Sequence, residues 1–173
     1  MIESTRFFLL IILLIIATYT DLTQRKIFNW LTYPAIGLGI GIAGGETVIY
    51  DNWAVFLPIL FSVVLCLVVY LLPFFFGWIG GGDLKLMLAI CCLQGAQPFG
   101  LGFVMRSIFN ITLIGAIMAA VLLIWKGSLF KGILGSFKLL VRPIASKEAI
   151  IENTIPYGVA ISLGTFWTLL TLS

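Results

Sequence analysis

"WAVFLPILFSVVLCLVVYLLPFFFGWIGGGDLKLM" occupies residues 53–87. From Trp53 to Phe76 it is almost wholly apolar, long enough as a helix to cross a hydrocarbon layer of about 30 Å. Three consecutive glycines, Gly80, Gly81 and Gly82, then lead to Asp83 and Lys85. A new apolar run starts at Leu84. The stretch reads as one span, a glycine connection and the mouth of a second span.

The rest of the chain repeats the pattern. Of 173 residues, 61% are hydrophobic and only 10% charged, with a mean hydropathy of +1.18. Soluble domains carry about 25% charged residues, so a large core alone does not explain the deficit. The expected fold is all-α, a polytopic membrane protein of about six transmembrane helices forming one domain over residues 1–173. The expected spans are Phe7–Thr20, Leu31–Val48, Trp53–Phe76, a run from Leu84, Ser107–Trp125 and Pro156–Leu170. The run from Leu84 meets Gly95 early and is too short to cross unaided, which suggests tilt or a thinned bilayer. Glu3 offsets Arg6 ahead of the first run and no A-x-A site follows it, so an uncleaved first helix is expected.

Charge placement excludes some functions and orients the chain. The net charge of +3 comes from basic residues between apolar spans, not along a polar face, so no nucleic-acid partner is expected. The chain has no histidine, and Cys66, Cys91 and Cys92 lie in apolar runs without a C-x-x-C pair. No metal site and no cofactor are expected, and the cysteines read as small core residues. Arg25, Lys26, Lys85 and the basic residues from Lys126 to Lys147 fall on one face of a six-span arrangement. That face is expected to be cytoplasmic in a multi-pass cell-membrane protein, with both termini outside. The segment Lys126–Thr154 reads equally as an amphipathic stretch in the headgroup plane or as a plain basic loop.

This topology brings two carboxylates to one face. Asp21 follows the first span and Asp83 precedes the fourth, whereas Glu46 and Asp51 fall toward the other side. Ionisable groups at the edges of apolar spans often mark function, although either aspartate alone reads equally well as a helix end. Two neighbouring carboxylates do not both ionise readily, so one keeps a proton while the other stays a base. Such a pair activates water against a peptide carbonyl without metal or covalent intermediate. The glycines beside Asp83 are expected to supply positive φ and room for an extended substrate backbone.

The residues that carry this chemistry also resemble a family. "GGGDLKLM" (80–87) resembles the GxGD-K-L signature of the type IV prepilin peptidases, which are membrane aspartic proteases. "DLTQRKIFN" (21–29) resembles their first aspartate motif, with Phe28 where proline is usual. "IPYGVAISLG" (155–164) resembles their late Pro-Tyr/Phe-Gly element. The resemblance implies Asp21 and Asp83 as the catalytic pair. It places Gly80, Gly81, Gly82, Lys85, Asn29, Pro156, Tyr157 and Gly158 at the substrate side. Lys85 would tune Asp83 or anchor to phosphates, and Asn29 would bond within its own motif. The implied substrate is a prepilin-like membrane protein whose short basic leader is cut at the cytoplasmic face. With no cysteine-bearing domain ahead of the first span, the chain resembles the short forms that serve tight-adherence pili or archaeal flagellins. Two other classes remain open. One is a small proton- or cation-coupled transporter using Asp21 and Asp83, which midplane carboxylates and inverted repeats would favour. The other is an inactive scaffold subunit.

Overall fold

The computed structural model describes residues 2–77, 79–95, 100–125 and 157–172. Among them the chain forms six α-helices and no strand: α1 (Ile2–Gln24), α2 (Asn29–Ile49), α3 (Leu57–Phe75), α4 (Gly81–Gln94), α5 (Gly100–Trp125) and α6 (Tyr157–Leu172). The all-α class is as expected. Pro156 and the basic segment 126–154 lie outside the described residues.

The ends of the elements differ from expectation in ways that matter for the site. The first helix runs past Thr20, so Asp21 lies in its last turn and not beyond it. It stops where Arg25 adopts a left-handed φ of 50° and donates its N–H to the Asp21 carbonyl at 2.9 Å; a left-handed residue just past the last turn is a common helix terminator. Trp53–Val55 is a 3-10 turn whose start is capped by the Asn52 side chain, which accepts from the Ala54 N–H at 2.9 Å. The third helix therefore begins only at Leu57, with Pro58 in its first turn, where the missing N–H costs nothing.

Helix α4 is the axis of the fold. It packs against α1, α2, α3, α5 and α6, and every residue from Leu86 to Gln94 except Leu88 is buried. A helix apolar on all sides belongs inside a bundle, and its 14 residues span only about 21 Å. Its shortness thus needs neither tilt nor a thinned bilayer, because other helices enclose it. Close approach is made possible by glycine. A Cβ on Gly39 would lie 2.6 Å from the Cys92 backbone, and one on Gly164 2.6 Å from Ile111. Small residues of this kind let backbones meet where apolar lipid gives helices little reason to associate. The three cysteines are buried, unbridged core residues, as expected.

Two ends of the bundle carry polar groups. At one, Arg6 is buried, donates to the Leu93 carbonyl at 2.9 Å and pairs with Glu46 at 2.6 Å. It ties α1, α2 and the last turn of α4 together, where a cation also suits the negative helix end. The carboxylates occupy the opposite end. Between the two, large apolar side chains face outward, such as Phe8, Ile12, Ile15 and Tyr19 of α1 and Leu60, Phe61, Val64 and Val68 of α3. Among the described residues, three helices are long and apolar enough to cross a membrane, over Ser4–Gln24, Leu57–Phe75 and Gly100–Val121, and Tyr157–Thr171 is a shorter apolar helix. An apolar exterior around such helices marks a membrane protein.

Candidate active site

Four chain segments converge at the carboxylate end: the last turn of α1, the loop 25–28, the start of α4 and the start of α6. Asp21, Arg25, Lys26, Ile27, Phe28, Asn29 and Gly80 to Asp83 line one open cavity of about 350 Å³. The first two sequence motifs, 51 or more residues apart, thus form the walls of a single space.

Asp83 occupies the third position of α4. Its carboxylate accepts the Gly80 N–H at 3.1 Å, one half of a capping box, which fixes the side chain at the helix start. It precedes Leu84 and lies outside the three candidate spans. Burial pushes its pKa up to about 6, assisted by the negative charge of Asp21 and opposed by the Gly80 N–H. The electrostatic influence of Asp21 means the two carboxylates share one local field.

Asp21 is held from the other side. Its carboxylate accepts the Val159 N–H at 3.1 Å, and the Gly158 N–H also points to it. These are the first amides of α6, which have no partner within the helix and carry its positive end. Gly158 makes the approach possible, since a Cβ there would stand 2.8 Å from the Asp21 Oδ2. The late Pro-Tyr-Gly element thus acts at the site through its backbone. Tyr157 is half-buried, close enough to Asp83 to feel its charge, and its hydroxyl neighbours that of the buried Tyr70.

The glycines behave differently from expectation. Gly80 has φ −73°, Gly81 and Gly82 are helical, and the one described glycine with positive φ is Gly77, at +73°. Gly82 is small because Ile27 packs on it, with the Ile27 carbonyl oxygen 3.0 Å from where a Cβ would be. The close approach expected of a substrate is made there by the protein's own loop. Lys85 reaches neither Asp83 nor open solvent alone. Its Nζ donates to Asn29 Oδ1 at 2.8 Å and lies 5.0 Å from the centre of the Tyr33 ring. Asn29 therefore bonds to the second motif and not within its own.

Arg25, Lys26, Ile27, Tyr70 and the Val159 amide are site components that motif reading did not single out. The basic pair after Asp21 was legible as charge but not as cavity wall, and a backbone amide has no sequence signal beyond the glycine before it. Among the described residues no cluster of histidine, cysteine, aspartate or glutamate could hold a metal ion.

No solved structure matches this chain. Among curated proteins, the prepilin peptidase EppA of Methanothermobacter thermautotrophicus is 32% identical over 98 residues, which is 56% of this chain and 25% of that relative. The chain thus spans about a quarter of that protein's length. The model of the type IV leader peptidase family matches residues 8–124, from α1 through nearly all of α5 with both aspartates included, and the chain belongs to that family.

Proposed function

We propose that this protein is an aspartic endopeptidase that removes the short leader of prepilin-like membrane proteins, with Asp21 and Asp83 as its catalytic pair. The observation that carries the reading is the shared cavity, in which Asp83, its pKa raised toward neutrality, stands within the field of Asp21. Asp83 serves as the acid and hydrogen-bonds the scissile carbonyl as negative charge develops on its oxygen. Asp21, aligned by the amides that open α6, takes the proton of the attacking water. The two then exchange roles as the amine departs, and the net reaction consumes one water. The family and the prepilin peptidase relative support the substrate class.

The cavity sits at one end of the bundle, and the basic residues Arg25 and Lys26 in its wall support the reading that the cut is made at the cytoplasmic face. A second class, the ion-coupled transporter, is not favoured by any contact, because both carboxylates lie at a helix end. Co-expression with candidate prepilins tests the proposal, with leader removal read as a gel shift. A shift with at least one prepilin is expected. The absence of processing for every prepilin-like partner would instead favour the transporter.

A further inference from the structure

A groove opens between α5 and α6, away from the carboxylates. It holds about 330 Å³ and is lined by Met105, Arg106, Phe109 and Asn110 of α5 and by Trp167 and Thr171 of α6. Arg106 and Asn110 stand one turn apart, as do Trp167 and Thr171, so each helix presents a single stripe. Trp167 lies roughly 15 Å along α6 from Tyr157, so the groove is separate from the catalytic cavity.

Its chemistry is unbalanced. Arg106 is exposed and makes no ion pair among the described residues, while Glu46 is already taken by the buried Arg6. Asn110 commits one amide hydrogen to the Thr168 Oγ at 2.9 Å. Its other N–H and the Trp167 indole N–H have no acceptor among the described residues. The groove therefore offers hydrogen-bond donors and a full positive charge, with no negative charge to meet them. Met105, Phe109 and Trp167 are all more than half exposed and supply apolar walls.

Position selects the occupant. Arg106 falls inside the candidate span Gly100–Val121, roughly 9 Å from its start. A guanidinium there is costly unless it reaches the interface or a counter-charge. Its planar fork suits a phosphate, and an indole suits the headgroup boundary. We infer that this groove binds the phosphodiester of an anionic phospholipid, with the lipid's chains lying over Met105 and Phe109. The inference does not depend on the peptidase reading.

Native mass spectrometry of the full chain in detergent tests it, with phosphatidylglycerol, the matching diacylglycerol and inorganic phosphate as probes. Wild type is expected to retain one more phosphatidylglycerol than Arg106→Gln, whose apparent affinity falls by about tenfold, as for loss of one charge-assisted contact. Arg106→Lys should weaken binding less than Arg106→Gln, because it keeps the charge and loses only the planar fork. Equal retention by wild type and Arg106→Gln would overturn the inference, as would equal weakening in Arg106→Lys and Arg106→Gln. Displacement of the lipid by diacylglycerol would reduce the groove to an apolar surface. Displacement by inorganic phosphate would make it a free-anion site. Either result overturns the lipid assignment.

Discussion

Asp83 is subject to two opposed effects, burial and the Asp21 charge on one side and the Gly80 N–H on the other, and the net result is a pKa of about 6. A carboxyl whose pKa is raised on folding binds its proton more tightly in the folded chain. Its contribution to stability is therefore full at low pH, declines as pH rises from the ordinary 3.8 toward about 6, and stays lost above that. Asp83→Asn removes the charge and keeps an acceptor for Gly80. The variant should melt above wild type at pH 8 and no higher than wild type at pH 4, measured by thermal unfolding in detergent. At Gly158, alanine would place a methyl 2.8 Å from the Asp21 carboxylate. Gly158→Ala should lower cleavage by roughly a hundredfold, on the order expected for an ångström-scale misplacement of a catalytic group, with the protein still inserted. Lys85 and Asn29 form one contact, so their effects should not multiply. In a double-mutant cycle, Lys85→Met, Asn29→Ala and the pair together should lower cleavage to a similar level. Multiplicative losses would show that Lys85 acts on substrate independently of Asn29. The motifs made the carboxylates legible in the sequence. The partner of Lys85 was not, because a bond across 56 residues leaves no local pattern.

At the scale of helices, the signature locates the start of α4 but says nothing of its surroundings. Twelve or so apolar residues after a glycine run look like a defective span, and only the five helices packed around them explain the length. Periodicity reports which residues are apolar and not which neighbours cover them. A glycine run likewise suggests a loop, whereas Gly81 and Gly82 begin the helix and leave room for Phe74 and Ile27. Arg6 and Glu46 offer the converse case. Sequence placed both away from the site, and the fold joins them across α1 and α2 in the interior. Removing one partner from a buried pair strands the other charge, at a cost of about 3 kcal/mol. Glu46→Ala should lose stability on that order, read as a lower denaturation midpoint. Cleavage per folded molecule should stay near wild type, because the pair sits a helix length of about 20 Å from the carboxylates.

Over the whole molecule, membrane character, the all-α class and family membership were legible from composition and three short motifs. The count of spans was less so, because among the described residues three helices meet the length and hydropathy that crossing requires, whereas the glycine-rich α2, the short α4 and α6 do not. The bundle keeps a paired cation and anion at one end and two carboxylates at the other. The carboxylates are held by the amides of α6 and the first turn of α4. The central claim is that these carboxylates act as one catalytic pair. It is tested most directly with purified wild type, Asp21→Asn and Asp83→Asn in detergent, each given a synthetic leader-plus-helix peptide without any ion gradient. Wild type should cleave, and each variant should fall by at least about a thousandfold, as when either member of an acid–base pair is lost. Substantial cleavage by either variant would contradict the pair.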